Sequence, residues 1–291
     1  MPGMDVAIED VRRRVGSAIF SLVAGADGPA GRERLRDIEG PRNFPLRSPI
    51  VRVHADASMF VGGLSALLLQ SLHPLAMAGV AGHSDYRGDP WGRLARTSHF
   101  LAATTYGTPA DARRAVDTVR AIHRRVRGVA TDGRRYSASD PHLLSWVHVA
   151  EVTSFLAAHR AYGADRLSAA EYDEYVAQSG EIAAALGARE VPGSVAELRA
   201  QLDRYRPELR GTSAARAAAR YLVFDPPLPF PARGAYVPVA AAAVALLPRW
   251  ARWPLRLPWL PVTEATVVRG AGDAVTRTIR WALSAPPATD R

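Results

Sequence analysis

The side chains with the widest choice of chemistry in this sequence are its eight histidines. An imidazole can bind a metal or a haem iron, and it can move a proton near neutral pH. The chain has no cysteine, and its 37 lysine-plus-arginine positions are all arginine. It therefore lacks the residues for cysteine-ligated zinc, iron–sulfur clusters, a cysteine nucleophile or a lysine Schiff base. The remaining candidates for holding a metal or cofactor are His54, His73, His83, His99, His123, His142, His148 and His159.

His123 lies on an apolar helical stripe. Helical periodicity places Val116, Val119 and Val126 on its face, because they stand seven and four residues before it and three after. A porphyrin needs a neutral imidazole on its iron, an aliphatic wall and nearby cations for its propionates. The neighbouring cations are Arg120, Arg124 and Arg127.

His148 has a similar setting, with Leu144, Val152 and Phe155 on its helical face. The alternative for either His123 or His148 is a hydrogen-bonded core residue, and spacing alone favours that alternative. A carboxylate-bridged metal site is not predicted. The chain offers no His-Glu-x-x-His motif and only one reversed spacing, from His148 to Glu151.

A third candidate group is Arg93, Arg96 and Thr97, which spacings of three and four place on one side of a helix. Two guanidinium groups and a hydroxyl there could clamp propionates or polarise bound oxygen. The alternative is an exposed arginine pair, with the Thr97 hydroxyl bonded to its own helix.

The segment 246–261 mixes cationic, aromatic and proline residues. Indole rings at headgroup depth, with arginines that meet lipid phosphates, are typical of a membrane interface. Tryptophans that cover the helical core would give the same pattern, so both interpretations stay open. The formal net charge of +9 suits an acidic partner, but the arginines are scattered along the chain and no nucleic-acid partner is predicted. The interleaved residues are Arg249, Trp250, Arg252, Trp253, Arg256 and Trp259.

Cap signals predict the elements that position these groups, and nearly all of them begin helices. Thr108-Pro109 and Asp140-Pro141 place an N-cap before a proline, and capping boxes begin at Ser168 and Ser194. No alternating strand pattern persists, and no Asp-Gly turn separates two β-rich segments, so the predicted fold class is all-α. The predicted helices cover about residues 4–24, 57–72, 91–106, 109–127, 141–162, 168–187, 194–205, 212–222 and 262–284.

The longest uncharged stretch, residues 57–84, contains no Asp, Glu or Arg. Because glycines and Pro74 interrupt it, we expect a buried helix that breaks at Pro74 rather than a membrane span. A second apolar stretch, residues 237–247, is too short to span. The prolines of residues 225–261 predict an extended path that wraps the helical body. No secretory signal is recognised at the start, and a cytoplasmic location, peripheral to a membrane at most, is expected.

Several of these motifs occur in a fixed order over roughly residues 40–225. That ordered set resembles the latex-clearing rubber oxygenase family, with its MpaB-like haem oxygenases. The family also includes a fungal oxygenase that cleaves a farnesyl side chain. The motifs are His73-Pro74, the segment 79–84, Asp89-Pro90, the segment 93–97, the segment 119–128, Tyr136, Asp140-Pro141 and the segment 146–148.

The resemblance implies a mostly helical fold with a globin-like core that holds haem b through a histidine. It assigns the proximal iron ligand to His123 and places Arg93, Arg96 and Thr97 around the haem. Arg93 and Arg96 would anchor propionates or stabilise negative charge, and Thr97 would supply a hydrogen bond. His148 is then a fallback ligand or a second group lining the pocket.

The chain departs from the rubber oxygenases at two positions. Arg96 stands where those enzymes have a lysine, and arginine does not deprotonate at neutral pH. Their glutamate base would fall in residues 74–79, which hold no carboxylate, and the nearest acids are Asp85 and Asp89. Cleavage of polyisoprene is therefore not expected.

The resulting prediction is one helical domain, with a family-like core at about 40–225 and a Pro/Trp-rich wrap and C-terminal helix at 226–291. Its predicted activity is a haem b-dependent oxidation, by an oxygenase or oxidase using O2 or peroxide. The expected substrate is a hydrophobic, terpenoid-like small molecule. The alternatives are a non-catalytic haem carrier or sensor, and a membrane-surface protein that uses Trp250, Trp253 and Trp259.

Overall fold

The computed structural model describes residues 2–25, 38, 40–83, 88–228 and 230–284, and these residues are mostly helical. The all-α prediction is confirmed. A two-stranded hairpin and short helical turns accompany the longer helices. The helices are α1 (Pro2–Ala24), α2 (Pro49–Ala55), α3 (Met59–Gln70), α4 (Pro74–His83), α5 (Pro90–Tyr106), α6 (Pro109–His123), α7 (Pro141–Tyr162), α8 (Ala169–Leu186), α9 (Val195–Tyr205), α10 (Ser213–Phe224), α11 (Phe230–Leu246), α12 (Arg249–Leu255) and α13 (Arg269–Leu283). The shorter turns are Arg206–Glu208, Pro261–Thr263 and the π-helical Glu264–Val268.

The predicted caps begin the helices as expected. The Thr108 hydroxyl accepts a hydrogen bond from the Asp111 amide, and the Asp111 carboxylate accepts one from the Thr108 amide. Ser168 and Glu171 form the same reciprocal pair at α8. At α9 only half of the box forms, because the Glu197 carboxylate accepts from the Gly193 amide instead of the N-cap amide. These bonds satisfy amides that a helix start would leave without partners.

The hairpin corrects two expectations. Helix α6 ends at His123 rather than near residue 127, and the next residues form β1 (Arg127–Val129), antiparallel to β2 (Arg135–Ser137). Its turn contains Asp132-Gly133, with Gly133 at a φ of +83° that favours glycine, so an Asp-Gly hairpin turn does exist. Each strand has three residues, too few to show alternation in the sequence. The hairpin packs on α4, where the Tyr136 ring lies edge-on to His83.

The Pro-rich segment was predicted to be extended, and this expectation is wrong over most of its length. It forms α11 and α12, although Pro238 lies inside α11 and Pro254 inside α12. A proline inside a helix removes one hydrogen bond, but the Ala- and Val-rich sequence of α11 regains stability by burial against α3 and α13.

Helices α3 and α7 pack together at the centre of the protein. Their close approach depends on Gly62, where a Cβ atom would lie 3.0 Å from the Ala158 Cβ and 3.1 Å from the Phe155 ring. The buried Trp146 donates its indole N–H to the Gln70 carbonyl at 3.2 Å, and this hydrogen bond joins α7 to the end of α3. The prediction of a buried helix that breaks at Pro74 is confirmed by α3 and α4.

Of the described helices, none alone is long and apolar enough to cross a membrane, although two bent pairs meet the test together by length and composition. They are Met59–Gln70 with Pro74–His83, bent by 106°, and Ala232–Leu246 with Arg249–Leu255, bent by 117°.

Asp56, between α2 and α3, connects three parts of the fold. Its carboxylate accepts hydrogen bonds from the Ser58 amide at 2.7 Å, the Ala164 amide at 3.2 Å and the Arg280 guanidinium at 3.0 to 3.1 Å. Burial alone would raise the pKa of Asp56, but the hydrogen bonds and the charge of Arg280 lower it below its usual value. The carboxylate therefore stays ionised and holds α13 against the end of α7.

Replacing Asp56 by alanine should destabilise the protein by about 3 kcal/mol, because the buried arrangement loses its central acceptor. Chemical denaturation at neutral pH measures this change. The control is Asp273→Ala, which removes an exposed ion pair with Arg277 on the same helix α13 and should cost less than about 0.5 kcal/mol. Equal costs for the two variants would contradict the role assigned to Asp56.

Candidate functional site

His123 is the last residue of α6, and its side chain is half-buried. Its Nδ1 atom is buried and has no hydrogen-bond partner within the described ranges. Burial lowers the pKa of His123, which keeps the ring neutral at neutral pH. A neutral imidazole with an unsatisfied buried nitrogen is suited to ligate a metal ion or haem iron.

His148 lies in the second turn of α7 and is 8% exposed. Its Nε2 atom is likewise buried, and no group in the described part of the chain bonds to it. Burial lowers the pKa of His148 to about 4. Neither His123 nor His148 is therefore the satisfied core histidine that spacing alone favoured.

A residue one turn before each of these two histidines contacts the C-terminal end of α8. Arg120, one turn before His123, donates to the Ala185 carbonyl at 3.4 Å. Leu144, one turn before His148, lies beside Gly187, where its Cδ1 would be 3.5 Å from an added Cβ atom. Helix α6 also packs along α5 and α8. The two strongest sequence candidates thus belong to different helices, and each helix contacts the C-terminal end of α8.

Glu151 stands three residues after His148, so the two side chains share one face of α7. Burial raises the pKa of Glu151 to about 7. Throughout the described residues, no hydrogen bond or ion pair to its carboxyl group occurs. The spacing from His148 was visible in the sequence, but the burial that makes this carboxyl unusual was not.

Further polar groups lie deep beside Glu151. The charge of Glu151 and burial raise the pKa of Tyr175, whose hydroxyl lacks a partner in the portion of the chain described. The His54 ring packs edge-on against the Tyr175 and Phe155 rings at 5.9 and 5.7 Å. The His54 Nδ1 lies 2.8 Å from the Thr105 hydroxyl, and burial lowers the pKa of His54 to about 4.

Helices α2, α7 and α8 thus bring together the His54, Glu151 and Tyr175 side chains, whose charged forms burial disfavours. A carboxyl group whose pKa is about 7 can also accept or return a proton at the pH of the cell.

The arginine group lies nearer the surface. The Arg96 side chain is 69% exposed and pairs with Asp89 at 3.2 Å. The Thr97 hydroxyl donates to the Arg93 carbonyl of its own helix at 3.1 Å, which is the arrangement of the alternative interpretation. Asp89 also caps α5, and Asp85 lies outside the described residues. The assigned roles of Arg93, Arg96 and Thr97 stay predictions.

The Glu151 carboxyl group makes a testable contribution to the free energy of unfolding. Because its folded pKa is about 7 and its ordinary value 4.5, the folded state binds more protons than the unfolded state between these pH values. Stability from this group is therefore lost as pH rises through that range. Glu151→Gln should stabilise the protein by up to about 3 kcal/mol near pH 8 and have little effect near pH 4.

Urea unfolding of both proteins at the two pH values measures this difference. The matched control is Glu181→Gln, which changes an exposed glutamate on α8 and should be neutral at both. If Glu151→Gln instead destabilises the protein at pH 8, the ionised carboxylate has an interior partner.

The comparisons with known proteins agree with this architecture. No curated protein and no solved structure matches the chain. The family model described as "ER-bound oxygenase mpaB/B'/Rubber oxygenase, catalytic domain" matches residues 51–281. The match includes every candidate site residue and extends past residue 225 through most of the predicted C-terminal wrap. The chain belongs to the mpaB/rubber oxygenase family and carries its oxygenase catalytic domain.

Proposed function

We propose that this protein is a haem b-dependent oxygenase or oxidase that acts on a hydrophobic, terpenoid-like small molecule. The observation that carries the proposal is His123, a half-buried, neutral imidazole with a buried, unsatisfied nitrogen in the matched oxygenase domain. His123 is the proposed iron ligand, and His148 is the fallback ligand or a second group in the pocket.

The residues present fit a haem on two counts. The two buried imidazole nitrogens lack partners among the described residues, as expected of groups that await a ligand. The surrounding helices α6 and α7 supply the apolar wall through Val116 and Phe155, both buried. When bound, haem would supply the capacity to bind and activate O2 or peroxide.

The chain's own residues would then bind the substrate and move protons. The uncharged lining around Tyr175 and His54 would favour a hydrophobic substrate and exclude bulk water. Glu151 would accept a proton from the substrate at its carboxylate, because its raised pKa leaves both protonation states populated near neutral pH. Glu151 would thereby replace the glutamate base of the rubber oxygenases, for which residues 74–79 of this chain hold no carboxylate.

Arg93 and Arg96 are proposed to anchor the haem propionates or stabilise developing negative charge, with Thr97 as a hydrogen-bonding partner. The exposed pair of Arg96 with Asp89 is no obstacle, since a surface ion pair contributes less than about 1 kcal/mol and exchanges readily for another anion.

His123→Ala should lose most of the bound haem, because it removes the iron ligand. Visible absorption spectra of the purified protein, as isolated and after hemin addition and reduction, measure the haem content through the Soret band. His99→Ala is the matched control, since it removes an exposed histidine of α5 and should retain haem. Stoichiometric haem with an unchanged spectrum in His123→Ala would refute this ligand.

His148→Ala then tests whether His148, the fallback ligand, binds the iron. Reduced protein that holds O2 without oxidising any hydrophobic substrate would indicate a carrier or sensor.

We also propose that the C-terminal region attaches the protein peripherally to an anionic lipid bilayer. Trp253, inside α12, is 88% exposed, and Trp259 and Val262, which follow α12, are 47% and 77% exposed. The Arg249 guanidinium lies over the Trp259 ring at 3.9 Å, so a cation accompanies the aromatic group. Trp250 is half-buried against the core, and it would contribute less than the other two tryptophans.

Replacing Trp253 and Trp259 together by alanine should reduce binding to phosphatidylserine-containing vesicles by at least about tenfold, because two interfacial anchors are lost. Flotation of the haem-containing protein with such vesicles measures the bound fraction. Val129→Ala, an equally exposed apolar residue on β1, is the control and should bind as the unaltered protein does. Unchanged flotation of the double variant would contradict the proposal.

A further inference from the structure

We propose that His73, His142 and Glu208 form a site for one divalent transition-metal ion of the zinc type, separate from the candidate haem region. His73 lies between α3 and α4, His142 in the first turn of α7, and Glu208 in the turn after α9. The ligand atoms of all three lie within 4.8 Å of one another. By sequence alone, His73 and His142 are only general candidates, and no motif points to Glu208.

The distances suit a shared ion. The His142 Nε2 atom lies 2.9 and 3.0 Å from the two Glu208 carboxylate oxygens, and the His73 Nε2 atom lies 3.3 Å from one of them. Zinc–nitrogen and zinc–oxygen bonds of about 2.0 to 2.2 Å place tetrahedral ligands about 3.3 Å apart. Each of these nitrogen–oxygen distances is therefore within a few tenths of an ångström of the ligand separation in a zinc site. Two histidines and one carboxylate are a common ligand set for a zinc ion that keeps a water as its fourth ligand.

Contacts outside the cluster hold the ligands in place. The Tyr205 hydroxyl donates to the His142 carbonyl at 2.8 Å and lies 3.4 Å from the His142 Nδ1 atom. Without an ion, the His142 Nε2–H donates to the Glu208 carboxylate. The Tyr205 hydroxyl is placed to accept a hydrogen bond from Nδ1–H, so that Nδ1 keeps its proton when a metal ion replaces the one on Nε2. The Asp140 carboxylate accepts from the His142 amide, and the Arg210 amide donates to the Leu72 carbonyl at 2.8 Å. The three segments are thus positioned without an ion.

The surroundings allow an ion to enter and remain. His73 is 1% exposed, whereas the His142 and Glu208 side chains are 54% and 38% exposed, so the cluster opens to solvent on one side. Arg134, whose charge acts on both His73 and Glu208, is itself paired with Asp132 at 2.8 Å. Its repulsion of a cation is thereby reduced.

The test uses tag-free protein as purified, stripped of loosely bound metal by a chelator and titrated with ZnCl2 in a calorimeter. We expect one zinc ion per chain, and at least about a tenfold weaker affinity in His142→Ala and in Glu208→Gln. Both residues are partly exposed, so circular dichroism should show the variants folded. His99→Ala is the control for adventitious binding to a surface histidine and should leave the affinity unchanged.

A second measurement uses cobalt(II) as a spectroscopic probe. A tetrahedral site should give intense visible absorption in the unaltered protein and in His99→Ala, and this absorption should be absent in His142→Ala. Equal zinc affinity in all four proteins, or no zinc binding by the unaltered protein, overturns the proposal. Because His123 is not altered, the result does not depend on the haem assignment.

Discussion

Helix α7 crosses the interior of the protein, and the need to bury it on nearly all sides is the constraint on which the rest depends. Its Trp146 and Phe155 fill the core against α3, and Gly62 on α3 lets the two helices approach closely. The same burial carries His148 and Glu151 out of water. A buried polar group without a partner costs about 1 to 3 kcal/mol, so this helix gives up stability at the positions where chemistry is proposed.

The interior and the surface treat charge in opposite ways. Inside, burial favours the neutral forms of His54, His148 and Glu151, and no ion pair to Glu151 is found among the described residues. At the surface, charges are kept and paired, as in the contact between Asp273 and Arg277.

The C-terminal helices show how tertiary context overrides a local signal. The prolines of residues 225–261 predicted an extended path, yet burial of small apolar residues against α3 makes most of that segment helical. The family match to residue 281 agrees that this part belongs to the catalytic domain. The region left exposed afterwards, around Trp253, is the part that the core does not cover.

The sequence by itself determined the helix starts and the fold class, because an N-cap such as Thr108 or Ser168 acts within four residues. It also identified His123 and His148 through helical spacing and resemblance. Only the tertiary structure decided which polar groups are buried and which of them come into contact. Glu151 acquires its raised pKa from helices distant in sequence, and Glu208 reaches His73 across 135 positions. Desolvation and long-range contact depend on packing, which residue spacing within one helix does not encode.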